Sequence, residues 1–232
     1  MKTKFSWIFY CLVSLLLSQS LSAAERFVTN ESNGFVWIQQ GKAYPILVDS
    51  REDKGVVRAV ANLQTDAGKV TGITPEIIYS VAGNRMLIIG SIENSSWIKQ
   101  LLKAGKINAA DLQGKREKYI LQMVKQPMEG VDEAVVIAGS DKRGTIYGIY
   151  ELSQQMGVSP WYFWADVPVE KHDIISIKEG IYTDGEPAVK YRGIFLNDEW
   201  PCLGNWAGDT FGGFNSKFYE TVFELVLRLK GN

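Results

Sequence analysis

The sequence is poor in residues that anchor chemistry on their own. Of its 232 residues, two are cysteine and one is histidine. Cys11 lies inside an N-terminal apolar run, so removal of that run leaves Cys202 alone and no intramolecular disulfide can form. The fold must then rest on core packing. The lone His172 stands in a polar stretch without a neighbouring His or Cys, which argues against a metal site or a nucleophile triad and favours a solvent-exposed side chain. An excess of positive charge is missing too. The 25 Lys and Arg, two of which are Lys2 and Lys4, stand against 26 Asp and Glu, and no basic cluster is present to follow phosphates, so nucleic acid is disfavoured as a partner. Nor does any apolar run reach the roughly 20 residues that span a bilayer.

What the N-terminus does contain is Lys2 and Lys4, an apolar run over 5–17, and a small, polar stretch over 18–24. That order is a secretory signal peptide cut after Ser22 or Ala24. It predicts an exported protein, periplasmic or extracellular, with no membrane anchor after cleavage.

From Phe27 to about Ile181 short apolar strands alternate with amphipathic helices, the pattern of a layered α/β domain. Strands are expected at 35–39, 46–49, 76–79, 86–89, 119–124 and 134–138. Ser50 can cap a helix whose apolar positions are Val56, Val57, Val60, Leu63 and Ala67. A second helix carries Trp97, Ile98, Leu101 and Leu102 and stops at Gly105. A third follows Asp141 and ends at Gly157. Residues 182–188, with Asp184, Gly185, Glu186 and Pro187, read as a linker. After it, 191–196 reads as a strand, a Gly-rich loop runs through Gly213, and Phe218, Tyr219, Val222, Phe223, Val226 and Leu229 form one helical face.

Candidate chemistry is sparse. The turn Gly139, Ser140, Asp141 could present amides to an anion, but it lacks both phosphate-loop spacings and a capped strand-to-helix turn explains it better. The aromatics Trp161, Tyr162, Phe163 and Trp164 between Pro160 and Pro168 suit domain packing more than sugar contact. Asn197, Asp198 and Glu199 end the 191–196 strand, where a barrel would place them at its mouth. Asp198 and Glu199 are neighbours whose side chains diverge on an extended chain, so they fit substrate holding rather than an acid and base pair. A carboxylate that only caps the loop or bridges to Arg192 or Lys190 is the even alternative. Trp206 is a weaker loop candidate. Arg51, after a strand, has the planar fork that matches a uronate carboxylate, against the plainer role of a solvated helix-start arginine.

With these residues laid out, the chain resembles the N-terminal part of glycoside hydrolase family 115, the exported xylan α-1,2-glucuronidases. The resemblance rests on GSDKRGTIYGIYELS at 139–153, GVSPWY at 157–162, WADVP at 164–168, VKYRGIFLNDE at 189–199 and FGGFN at 211–215. It implies a small N-terminal α/β sandwich domain (25–181), a linker (182–188), and the first strand and helix of an incomplete (β/α)8 barrel (189–232). It implies removal of glucuronic or 4-O-methylglucuronic acid from glucuronoxylan by general acid and base, with no cofactor and no metal, and it allows full-length relatives to be dimers. The family's acid and base are expected beyond Asn232, so no catalytic residue is carried over and an inactive fragment is implied. Asn197, Asp198, Glu199, Trp206 and Arg51 remain as substrate-binding candidates. The alternative of another class is a non-catalytic carbohydrate-binding or assembly module.

Overall fold

The computed structural model describes residues 26–197 and 199–232; the signal segment 1–24, Cys11 and Asp198 lie outside the described residues. In chain order the elements are β1 (Val28–Thr29), β2 (Phe35–Gln39), β3 (Lys42–Ala43), β4 (Ile46–Val48), α1 (Lys54–Thr71), β5 (Ile77–Ile78) and β6 (Arg85–Ser91). Then come α2 (Ser96–Lys103), β7 (Tyr119–Met128), β8 (Val131–Gly139), α3 (Lys142–Gln155), β9 (Ile174–Ile177), β10 (Ile181–Tyr182), α4 (Cys202–Phe211) and α5 (Ser216–Arg228).

A six-stranded mixed sheet runs β10-β7-β8-β6-β4-β5, with β8, β6, β4 and β5 mutually parallel and β7 antiparallel to both of its neighbours, β8 and β10. The two-residue period of its strands sends alternate side chains to opposite faces. Val48, Leu87, Ile89, Val135 and Ile137 join a core with Val60 and Leu63 of α1 and Ile149 of α3. Leu47, Ile88, Val136 and Ala138 join a second core with Ile98 and Leu101 of α2. Both faces are covered, which is why the central strands are apolar on both sides. A smaller antiparallel sheet, β1-β9-β2-β3, extends the first core with Phe35, Trp37 and Ile175. The mixed α/β architecture agrees with the alternating pattern of the sequence.

α3 lies unusually close to the sheet. A Cβ at Gly144 would come within 2.2 Å of the Lys118 carbonyl oxygen, and one at Gly148 within 3.0 Å of the Tyr119 ring. Glycine at these positions is what lets the helix backbone seat on β7.

Four expectations need correction. Helix α1 is capped by Asp53, whose carboxylate accepts from Gly55 N, and not by Ser50, because Asp49 to Glu52 first make a tight turn with a Glu52 N to Asp49 O bond. Residues 191–196 form no strand. A strand exists through its ladder, and no strand lies beside this stretch among the described residues; instead Arg192 N donates to Asn232 Oδ1 and Asn232 N to Arg192 O. The Gly-rich loop contains α4, because Gly204 and Gly208 are tolerated inside a turn closed by Gly212 in the left-handed conformation. His172 is half-buried rather than exposed, within 3.3 Å of Glu170 and 3.4 Å of Asn30.

Residues 184–232 are tied to the first domain by buried polar contacts. Arg228, with a side chain 3% exposed, ion-pairs with Asp66 and Glu224, each at 2.8 Å, and lies over the rings of Tyr150 and Tyr162. Lys230 joins Glu151 and Asp184. Arg192 donates to Glu117 at 2.8 Å and to the Tyr147 hydroxyl at 3.1 Å, and that hydroxyl donates to Gly231 O. Trp164, Trp206, Phe211 and Phe218 pack edge to face or tilted, with centroids 5.4–6.4 Å apart. Fully buried Phe218 sits at the middle of that cluster.

Candidate functional site

In an open α/β sheet, ligands usually enter at the carboxyl ends of parallel strands where the strand order reverses. Here that point lies between β4 and β6, and the chain fills it with its own carboxylates. Asp49, at the end of β4, accepts from Ser96 N at 2.8 Å and from the Ser96 hydroxyl, occupying the first free amide of α2. Its bidentate bond to Arg51 and these donors hold the Asp49 carboxyl well below the usual range despite burial. Glu52 turns inward and accepts from Ser91 N at 2.6 Å and the Ser91 hydroxyl at 3.0 Å; burial, opposed by these bonds, pushes its pKa up.

The turn at 139–141 is filled in the same way. Asp141 accepts from Gly144 N through one oxygen and from Glu117 N through the other, both at 2.8 Å. All three strand-to-helix turns of the large sheet therefore carry an internal acid or hydroxyl on their helix amides, with Asp53 and Ser95 completing the set. These side chains compete with a phosphate for the amides they engage. Among the described residues no group of three His, Cys, Asp or Glu is placed to hold a metal, and no helix is long and apolar enough to cross a membrane.

An open cleft remains beside this filled point. It has a volume of 420 Å3 and lies where the ends of β6 and β8 meet residues 190–191 and Asn232. Glu117 forms its floor. Its backbone φ of +53° is a left-handed conformation that costs free energy in a non-glycine residue. The carboxylate is 4% exposed and accepts from Arg143, Arg192 and Asn232. Burial raises its pKa, but the Asn232 amide and the Arg192 guanidinium outweigh that and hold the carboxyl below its ordinary value. Arg116, Lys142, Arg143 and Lys190 give the walls four cations.

The residues singled out from sequence do not converge. Arg51 is exposed, with its guanidinium engaged by Asp49 at 3.0 and 3.1 Å. Asn197 and Glu199 are exposed on the far end of the 191–197 stretch. Trp206 is 37% exposed and packs 5.4 Å from Trp164 and 5.5 Å from Phe211. Of the 160–168 aromatics, Tyr162 and Trp164 serve packing, Trp164 Nε1 donating to Thr221 O and the Tyr162 hydroxyl to Glu224, while Trp161 is 41% exposed. Sequence reading missed Glu117, Lys190 and Tyr191. The pair Lys142 and Arg143 in the first turn of a helix, where the positive dipole end disfavours cations, was the available signal.

Comparison with known proteins defines the class. Residues 184–232 match the family model for glycosyl hydrolase family 115. A solved family 115 4-O-methyl-α-glucuronidase with specificity for decorated arabinogalactans is 34% identical, with a TM-score of 0.72 over 85% of this chain and 25% of its own. A Streptomyces plicatus β-hexosaminidase reaches a TM-score of 0.40 at 13% identity over 69% of this chain and 25% of its own. A Streptomyces coelicolor A3(2) family 20 β-N-acetylhexosaminidase gives 0.38 at 14% identity with the same coverages; neither likeness carries an argument. No curated protein matches the chain. The chain spans about a quarter of the length of these solved relatives. The chain is thus similar to glycoside hydrolases over about a quarter of their length. The resemblance to the N-terminal portion of family 115, read from the motifs at 139–153 and 189–199, is shown by both the family match and the close structural relative.

Proposed function

We propose that this chain is the front of an exported glycoside hydrolase of the α-glucuronidase type, which removes glucuronic or 4-O-methylglucuronic acid side groups from glucuronoxylan. The observation that carries the reading is the 34% identical structural match over 85% of the chain. Residues 25–181 are the α/β sandwich domain, 182–188 the linker, and 189–232 the opening of a (β/α)8 barrel; the family match beginning at residue 184 supports that division. The basic and apolar leader over 1–24 supports export to the periplasm or beyond.

Asn197, Asp198 and Glu199 are the residues we assign to substrate holding at the barrel mouth, with Trp206 behind them as part of the wall. Arg51 is a poorer candidate, since binding a uronate would require it to leave Asp49. Acid and base are not assigned to any residue of this chain, and hydrolysis by these 232 residues alone is expected to be absent. The reading places general acid and base chemistry on a sugar, with no cofactor. The specificity of the similar enzyme makes decorated arabinogalactan the competing substrate.

The test is to read the coding DNA past Asn232 and assay the encoded product for uronate release from glucuronoxylan and from arabinogalactan. Further barrel strands with carboxylates and release of uronate support the proposal, and the preferred polymer names the substrate. A stop without barrel remnants and no release by the product would turn the reading toward a non-catalytic carbohydrate-binding module.

A further inference from the structure

We propose that Glu117 is a positioning residue for the site that Asn197 and Glu199 open. Through Arg192, this carboxylate of the α/β domain holds the stretch that carries both residues. The proposal rests on the α-glucuronidase reading above and goes beyond it by giving the first domain a part in the reaction.

Other buried or half-buried acids of the domain have local work. Asp53 and Asp141 cap helices and Asp66 pairs with Arg228, whereas Glu117 lies just before β7 and caps none of the described helices. Its side chain is 4% exposed, and donors from three parts of the chain meet on it: Arg143 of α3 at 3.2 Å, Asn232 Nδ2 at 2.9 Å and Arg192 at 2.8 Å. Its left-handed backbone, with φ of +53°, is held by Asp141, which accepts from Glu117 N at 2.8 Å. Strain of this kind persists only where the surroundings over-determine it, and it gathers at functional sites.

Arg192 passes that hold on. Its guanidinium also donates to Lys230 O at 2.8 Å, to Val189 O at 2.7 Å and to the Tyr147 hydroxyl at 3.1 Å. Asn232 completes the clamp: it donates to Arg192 O and Lys190 O and accepts from Arg192 N. Residues 189–192 and 230–232 are thereby fixed to each other and to Glu117. Beyond Arg192 no strand lies beside 193–197 among the described residues, and Ile194 and Phe195 are exposed, so the direction of the stretch is set at Arg192. Asn197 follows five residues on, at most about 18 Å away. A tilt of about 3° at Arg192 would move it by about 1 Å, a displacement that can cost an enzyme about 100-fold in rate.

The experiment compares Glu117→Gln with Ile98→Val, a core change in α2 that also lowers the melt but touches neither 189–192 nor 230–232. In the complete encoded enzyme, Glu117→Gln should lower kcat for uronate release by about ten-fold or more with KM within about three-fold, because what is lost is orientation. Ile98→Val should leave both constants unchanged. Arg192→Gln should match Glu117→Gln, and the double variant should be no worse than either, as expected of two residues acting as one unit. A second measurement needs no activity: in the 232-residue chain, the amides of Arg192 and Asn232 should exchange at least about ten-fold faster in Glu117→Gln and not in Ile98→Val. A kcat within about two-fold of wild type in Glu117→Gln, an equal loss in Ile98→Val, additive losses in the double variant, or unchanged exchange would each overturn the proposal. A wild-type enzyme that releases no uronate sinks the reading beneath it, and the exchange difference, still present, tells that failure from a failure of Glu117 to hold Arg192.

Discussion

Asp66 is the place where a single change should most clearly loosen residues 184–232 from the α/β domain. Its side chain is 1% exposed, and Arg228, 3% exposed, meets it at 2.8 Å from the last turn of α5. In Asp66→Ala the guanidinium stays buried between Tyr150 and Tyr162 with Glu224 as its remaining carboxylate. Removing one partner of a buried pair costs about 3–5 kcal/mol, and because Glu224 remains the lower end applies, about 3 kcal/mol. For a chain of this size that is a fall in Tm of roughly 6–12 °C. The loss belongs to the stranded charge and not to the pair itself, so Asp66→Leu with Arg228→Met should recover most of it. The assay is thermal and urea unfolding of the three proteins, with amide hydrogen exchange in α5 to locate the change. A loss under about 1 kcal/mol in Asp66→Ala, or a double variant no better than the single one, would refute the reasoning.

Other outcomes follow from neighbouring contacts. Glu117→Gln should cost about 1–3 kcal/mol by urea unfolding, because it weakens two charge-assisted bonds at a nearly buried position. Asp49 has a depressed pKa, so its contribution is present above the ordinary aspartate range, about 4, and is lost as pH falls below it; melts between pH 3 and 7 should flatten at the acid end in Asp49→Asn. Glu52 has the opposite sign, since a raised pKa costs stability as pH rises above the ordinary glutamate value, and Glu52→Gln should remove that decline. Gly144→Ala should destabilise by about 1–3 kcal/mol in a melt, as its Cβ would meet the Lys118 carbonyl at 2.2 Å. Phe195→Ser with Phe223→Lys should raise the soluble yield, because both side chains are more than half exposed.

How far the sequence foretold this molecule depends on which interactions are local. The α/β pattern, the cap at Asp141 and the stop at Gly157 follow from periodicity and turn chemistry within a few residues, and they could be read directly. Strands β1, β3 and β10 have two residues each and no pattern of their own; they exist because β9, β2 and β7 pair with them. The same reasoning explains the error at 191–196, where an apolar run with strand composition has no ladder partner. Helix α4 was hidden for the converse reason: two glycines and no acid in its first turn look like loop, while its packing comes from distant Trp164 and Phe163 through Trp206.

The site shows the same division between local and distant causes. The anion-binding reading of 139–141 turned on whether Asp141 would use its carboxylate as a cap, and the answer required Glu117, 24 residues away, to bring its own amide to the other oxygen. Once Asp141 and Asp49 are engaged in this way, the positive ends of α2 and α3 are neutralised from within, and the place where α/β domains usually hold a phosphate becomes structural. What remains open to a ligand is the rim, whose character is set by side chains that no helix or strand requires: Lys142, Lys190 and Tyr191.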